Sequence, residues 1–498
     1  MNTDKVNILK KIEIREEIEK LKGKKVMLPL DTTFSNDCWE GIFSRYEHTI
    51  DVGFTAKKVL KHLKKEIDNK NIVVNKNIVF TISRLHDIGH CPYGHSGEET
   101  LNKLLSENGI YYSDNFFSGY KHNLLSAKIV LDSLPKTVHP HWKIIDGIIK
   151  HTSSMTSNFN ISMVKRSNPL RLNYIFRDDN RIYNKPTPDG SWCDYIANYK
   201  CKCSICCKHA SALTFIDSLL NQNTVDFGTC AVADKPYKST NIISFENSNH
   251  VDGVSEYDKN VCEYLMYPFP ASIEGGIVKI ADEISGLCFD FSLYLNYLQH
   301  QSDDFSKKII CKERIVNLIN LEIDRIKKKN YDNEDEIINI CNIIKKMSQD
   351  SNKTQREELK ERIITMTRIE NNGCTTIVNL DHNFGETFNN LKSIIYSLVH
   401  DEERIKKDNE GGSKSLKELF DYYLRNIVSF KNDRVIGRII KRLNSLDNKF
   451  NIDKIDEYIK SDNSKIINAL KREIVFYLAS LTEQDVKNKV EQYNLILH

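Results

Sequence analysis

No apolar run in this 498-residue chain approaches the length of a membrane span, and charges interrupt every apolar stretch of the opening MNTDKVNILKKIEIREEIEKLKGKK. The sequence therefore offers neither a spanning helix nor a signal-peptide core, and a cytoplasmic protein is the expectation. Charge of one sign is also missing. Lys and Arg number 71 against 68 Asp and Glu, a net charge of +3, so the whole-molecule charge gives no argument for nucleic-acid binding. Glycine (20) and proline (10) are scarce, which leaves long stretches free to keep helical periodicity. Thirteen cysteines are present but scattered, without a regular disulfide framework. They read as reduced thiols with one candidate metal cluster. There is no internal repeat. What is present, 40% hydrophobic and 28% charged residues, is the balance of an ordinary globular protein. The length allows two or three domains, or one large helical domain with insertions.

Ile50, Phe54, Val59, Leu60 and Leu63 recur at helical spacing and predict an amphipathic helix from Tyr46 to about Glu66. Val79–Arg84 leads into His86-Asp87, and Gly89 and Pro92 stop it. His122–Leu134 and Trp142–His151 read as two further helices. Residues 152–270 differ: Pro169, Pro186, Pro188, Pro236, Pro268 and Pro270, with many Asn and Ser, mark an irregular, cysteine-containing insertion. A long helix follows from Ile273 to about Leu298. Helical spacing continues beyond Asp303, with breaks expected near Asn371–Gly373 and Asn409–Gly412; Gln349–Lys360 reads as a solvated helix or loop. The expected architecture is all-α. An N-terminal segment (1–40) precedes a helical core in two parts (41–151 and 271–325), split by the insertion and followed by a helical C-terminal region (326–498).

Nine of the fifteen histidines fall between residues 48 and 151. A neutral imidazole is a good ligand for Mn, Fe, Ni or Zn, and a carboxylate suits harder cations. His86, Asp87, His90 and His95, close together at a helix end, form a candidate metal and acid–base site, to which His48 can add a ligand from its own helix. A lone histidine is usually a surface or core residue with local hydrogen bonds; a cluster of this density is not explained that way.

The segments SRYEHTIDVG and RLHDIGHCPYGHSGEETL resemble the HD-domain superfamily and, more narrowly, its deoxyguanosine triphosphate triphosphohydrolase branch. Colinear likenesses continue. YKHN at Tyr120–Asn123 resembles a His-Asn segment of that branch, DGIIKH at Asp146–His151 its EGILKH, and SIEGGIVKIADEIS at Ser272–Ser285 its SLEAQVVNIADEIAY. Arg314–Asp324 and Tyr477–Glu483 resemble its late helices more weakly. Residues 152–270 have no counterpart. The resemblance implies four metal ligands, His48, His86, Asp87 and Asp282, holding a divalent ion such as Mn, Mg, Fe, Ni or Co. It implies that Arg45 touches substrate phosphates, that His95 lies near the α-phosphate, and that His122 with its partner Glu98 is catalytic. It further implies that Asp290 contacts the sugar 3′-hydroxyl. The implied reaction is hydrolysis of a (deoxy)nucleoside triphosphate at the α-phosphorus, releasing nucleoside and inorganic triphosphate, in a homo-oligomer. One departure stands out: four residues past the last ligand the branch usually has tyrosine, and here there is Gly286. That puts base and sugar discrimination in question. Two other functions share the same residues, namely an HD-type phosphodiesterase acting on a cyclic nucleotide or nucleic-acid ends, and a nucleotide-sensing or nucleic-acid-binding protein with a residual site.

Two further signals have plainer alternatives. Cys193, Cys201, Cys203, Cys206, Cys207 and His209 offer enough donors for a tetrahedral structural zinc, against ordinary thiols in an insertion. Arg434, Arg438, Lys441 and Arg442 share a helical face, either a solvated face or a phosphate site for a nucleotide effector or single-stranded nucleic acid. His151 reads as support for the ligands rather than as one of them.

Overall fold

The computed structural model describes residues 8–26, 44–107, 120, 122–133, 142–152, 270, 272–301, 305–349, 353–371, 376–426 and 464–493. The cysteine cluster at 193–209 and the basic face at 434–442 lie outside the described residues. Among the described residues the chain is almost wholly helical, as expected, and no helix there is long and apolar enough to cross a membrane.

In chain order the helices begin with α1 (Ile12–Lys20), α2 (Arg45–His62), α3 (Lys64–Asn69), α4 (Lys76–Leu85), α5 (Gly94–Glu107), α6 (His122–Asp132) and α7 (Trp142–Lys150). Beyond residue 270 come α8 (Ile273–Gln301), α9 (Phe305–Lys329), α10 (Glu334–Gln349) and α11 (Lys353–Thr365). A hairpin of β1 (Thr367–Asn371) and β2 (Thr376–Leu380) leads to α12 (His382–His400) and α13 (Glu403–Arg425), and α14 (Ser464–Ala479) and α15 (Glu483–Gln492) close the chain. The two strands are antiparallel, with Thr367 opposite Leu380 and Asn371 opposite Thr376. The break expected at Asn371–Gly373 thus falls at this hairpin, in which adjacent Ile377 and Val378 are both buried and leave no clean period of two.

Helix α8 is the central pillar, packed by α2, α4, α7, α11, α12 and β2. Such an element must be apolar on most sides, and Ile277, Val278, Ile280, Ala281, Ile284, Leu287, Cys288 and Phe291 are all buried. Helix α2 starts sharply because Ser44 and Glu47 form a capping box, each side chain meeting the other's backbone N–H. Its buried face runs Arg45, His48, Thr49, Val52, Thr55, Ala56 and Val59, so one stripe is polar in its first turn and apolar afterwards. The predicted helix to Glu66 is broken at Leu63 into α2 and α3.

Two expectations need correction. The break at Asn409–Gly412 does not occur: α13 runs through it. Each mid-helix glycine costs about 1 kcal/mol relative to alanine. At Gly412, though, a Cβ would come 2.4 Å from the Tyr93 ring, so the missing side chain is what lets α13 pack on the loop before α5. The segment Gln349–Lys360 is only partly solvated: of its described residues Gln349, Thr354 and Glu358 are exposed. Gln355, Arg356 and Lys360 on α11 are buried, and Lys360 Nζ donates to both Asp51 oxygens at 2.7 and 2.9 Å. A polar sequence is buried here because its charges find partners inside.

Candidate metal centre

Five elements meet at the base of α8. Helix α4 ends at Leu85, and the turn 86–89 carries His86 and Asp87 across to α6. Gly89 makes this approach possible, since a Cβ there would lie 2.4 Å from the backbone nitrogen of Ser126 and 2.5 Å from the carbonyl of His122. Its N–H donates to Ser126 Oγ at 2.8 Å, and its carbonyl accepts from Tyr120. The histidine turn is thereby fixed against the helix that begins with His122. The αL residues Tyr93 and Gly94, with φ of 65° and 58°, then redirect the chain so that α5 presents His95 and Glu98.

The structure brings His48, His86, Asp87 and Asp282 together, the first three buried and the Asp282 side chain 20% exposed. His86 Nδ1 lies 2.9 Å from the Ser83 carbonyl and so carries its proton, which leaves Nε2 as an acceptor. That Nε2 is buried without a hydrogen-bond partner, 3.7 Å from Asp87 Oδ2 and 3.6 Å from Asp282 Oδ1. A nitrogen lone pair facing two carboxylate oxygens in a dry pocket is unfavourable unless a cation or a proton sits among them. His48 Nε2 is 2.8 Å from Asp282 Oδ1 and 4.0 Å from Asp87 Oδ2. Two imidazole nitrogens and two carboxylates within this span fit a divalent ion, and His48, His86 and Asp87 offer ligand atoms within 4.8 Å of one another.

The electrostatics agree with the donor set. Burial disfavours a charged His86, yet the carboxylates of Asp87 and Asp282 outweigh it and push the ring up to about 9. Burial likewise opposes ionisation of Asp87, but His86 and Arg45 hold it well below the usual carboxylate range; His48 and His86 do the same for Asp282. The rise at His86 reflects the negative field of the two carboxylates, the field a bound cation would feel. Arg45 spans one edge, its Nη1 2.9 Å from Asp87 Oδ2.

A second group of side chains faces the other oxygen of Asp87. Glu98 meets His122 Nδ1 with both oxygens at 3.1 Å and accepts the His122 backbone N–H at 3.2 Å. His122 Nε2 is 3.6 Å from Asp87 Oδ1 and 3.3 Å from His151 Nε2. His151 Nδ1 is bound to the Ile148 carbonyl at 2.6 Å, so its Nε2 is an acceptor, again 3.6 Å from Asp87 Oδ1. Burial lowers the His151 pKa and, with Arg45 and His122, holds His90 well below the usual histidine range, so both rings are neutral. His90 stacks on His122 with centroids 4.4 Å apart, and its buried Nε2 has no partner.

The remaining expected residues line the edge. His95 is on the rim, its side chain 56% exposed and Nδ1 3.7 Å from Glu98 Oε2. Asp290 lies two turns beyond Asp282 on α8; burial raises its pKa, and its Oδ1 is buried without a partner. Between them, a Cβ at Gly286 would meet no atom of the described residues within 4 Å, so among them this face of α8 is uncovered. His151 is more central than its sequence reading placed it; the colinear DGIIKH match was its available signal. Lys392 of α12, which pairs with Glu283 beside Asp282, had no motif to mark it.

Residues 45–182 match the HD domain, and the chain carries such a domain. Over 137 residues it is 31% identical to a deoxyguanosinetriphosphate triphosphohydrolase-like protein of Rickettsia akari (strain Hartford), covering 26% of this chain and 30% of that protein. The like-named protein of Geobacter sulfurreducens is 30% identical over 116 residues, 22% of this chain and 25% of its own length. That of Caldanaerobacter subterraneus subsp. tengcongensis is 31% identical over 112 residues, 22% and 27% respectively. The chain thus matches less than a third of the length of each of these relatives.

Proposed function

We propose that this protein is a divalent-metal-dependent hydrolase that cleaves (deoxy)nucleoside triphosphates at the α-phosphorus, releasing nucleoside and inorganic triphosphate. The observation that carries the reading is the buried, unpartnered His86 Nε2 set between the carboxylates of Asp87 and Asp282, one residue away from the Glu98–His122 pair. His48, His86, Asp87 and Asp282 hold the ion. When bound, it supplies Lewis acidity that offsets the negative charge developing on a phosphate under attack.

The chain's own residues do the rest. Arg45 directs its guanidinium into the same pocket, where planar N–H donors match phosphate oxygens. Glu98 keeps the His122 proton on Nδ1 and orients Nε2 toward the pocket. A proton added at Nε2 would relieve the crowding of lone pairs from His151 and Asp87, so His122 is arranged to hold a proton and hand it to the departing 5′-oxygen. Asp290 offers an unused buried acceptor for a sugar hydroxyl, and the open space at Gly286 admits the substrate without the aromatic wall usual in the resembled branch. His95, on the rim, meets the phosphate chain as it enters.

The test is triphosphate release from the eight common nucleoside triphosphates across Mn, Mg, Co, Ni and Fe. Release of orthophosphate or pyrophosphate instead, or metal-independent turnover, refutes the reading. One observation favours a second reading, phosphodiester hydrolysis: Asp87, His90 and His122 form a second cluster of potential ligand atoms within 4.8 Å, sharing Asp87 with the first. Two ions bridged by one carboxylate would suit in-line displacement at a diester. Metal counting separates the two, with one ion per chain expected for the triphosphohydrolase and two for the diesterase.

A further inference from the structure

Once an ion is bound, the charges of the pocket do not balance for a polyphosphate. A divalent cation offsets Asp87 and Asp282, and Arg45 is already paired with Asp87 at 2.9 Å. A triphosphate brings several more negative charges, which need a cation outside the ligand set. Helix α12 brings one. Lys392 sits across from the third turn of α8, where it pairs with Glu283. Its charge is also felt by Asp282 and Asp290, the two residues that flank the open face at Gly286. Burial works against this ammonium, but Glu283, followed by Asp282 and Asp290, raises its pKa and keeps it charged.

The form of the pair matters. By surface area the Lys392 side chain is 43% exposed and that of Glu283 only 11%, so of the two it is the ammonium that solvent and an entering anion can reach. An ammonium on a four-carbon stem is a point charge with three donors, of which the bond to Glu283 uses one. A four-carbon stem can swing without backbone movement. Gly286 puts no side chain between Glu283 and Asp290, and no atom of the described residues lies within 4 Å of its missing Cβ, where a tyrosine would supply its own hydroxyl.

We propose that Lys392 is a substrate-binding residue for the polyphosphate chain, held by Glu283 in the empty site and released to the β- and γ-phosphates when substrate enters, so that it takes over the role left open by Gly286. This rests on the triphosphohydrolase reading for its substrate, but not for its test. Glu283 competes with the phosphates for the same ammonium, so the two residues have opposite effects on anion affinity. A salt bridge that merely fastened α12 to α8 would give changes of the same sign for both.

The experiment uses the full-length, metal-loaded protein and inorganic triphosphate as the probe, with binding followed by titration calorimetry. Lys392→Met is expected to weaken binding by about 10- to 100-fold, the range for losing one charge-assisted contact. Lys392→Arg should recover most of it, and Glu283→Gln should tighten binding. If Lys392→Met leaves the affinity within twofold, or if Lys392→Met and Glu283→Gln shift it in the same direction, the proposal is overturned. Should Lys392→Met fold poorly, Lys392→Gln, which keeps a polar end but no charge, is titrated with inorganic triphosphate in its place, and an affinity within twofold of wild type overturns the proposal. A wild type that binds triphosphate through Lys392 but cleaves no nucleotide would refute the hydrolase reading and leave this one standing.

Discussion

Glu98 is the residue whose change tests the proposed chemistry most cleanly, because it touches His122 and is not a metal ligand in the proposed set. Both of its oxygens lie 3.1 Å from His122 Nδ1, and one accepts the His122 backbone N–H at 3.2 Å. Glutamine has the same shape and keeps one oxygen, so in Glu98→Gln the backbone bond survives and the fold is expected to hold. The charge is lost, and an amide N–H now competes with the N–H of the ring. A charge-assisted hydrogen bond contributes about 1.5–3 kcal/mol. Since about 1.4 kcal/mol of barrier is tenfold in rate, kcat should fall by about 10- to 150-fold from this alone. A flipped tautomer, which would put the ring proton on Nε2 and leave Nδ1 bare, takes the loss toward the ~10²–10⁴ typical of general acid–base catalysis. The assay is steady-state triphosphate release, with metal content by mass spectrometry and a thermal melt alongside. A kcat within threefold of wild type, at full metal occupancy, would refute the assignment of proton transfer to the Glu98–His122 pair.

Metal binding should release a proton. With His86 pushed up to about 9 by Asp87 and Asp282, the ring is protonated at pH 7 in the metal-free protein and must lose that proton to serve as a ligand. Calorimetric titrations at pH 7.5 in buffers of different ionisation enthalpy should show about one proton released per ion, and affinity should weaken about tenfold for each pH unit below 9. In the metal-free protein the same group stabilises the fold fully below its ordinary 6.5, and that contribution disappears as pH rises through about 9. A proton count of zero, or metal-free stability that rises across this window on account of His86, as judged against His86→Ala, would contradict the geometry. At Gly286 the helix interior carries an avoidable penalty. A Cβ there meets nothing within 4 Å, so Gly286→Ala should stabilise the protein by about 0.5–1 kcal/mol in chemical denaturation. A destabilised variant would mean that the space is not open.

Much of the fold was legible because helices announce themselves through spacing. Ile50 to Leu63 marked α2, and the apolar run from Ile273 marked α8. What misled were residues whose local preference was overruled by a distant partner. Gly411 and Gly412 read as a helix end, but Tyr93, more than 300 positions earlier, packs against Gly412. Lys360 read as solvated because its partner, Asp51, lies on another helix. The hairpin of β1 and β2 was invisible for a different reason, namely that adjacent Ile377 and Val378 are both buried and break the alternation that marks a strand.

For the site, the sequence by itself determined the residue types and their order: an imidazole-rich first third, the His86-Asp87 pair, and Asp282 and Asp290 spaced to share a helical face. Those are local properties, set by residue chemistry and the helical repeat. Only the tertiary structure decided which atoms meet. It set His86 Nε2 between two carboxylates separated by 195 positions, turned His151 toward His122, and brought Lys392 of α12 to Glu283, the neighbour of Asp282. The physical reason is that a ligand atom's lone pair is aimed by the bond its other nitrogen makes and by the packing of the element that carries it. Neither is written at the position of the residue itself.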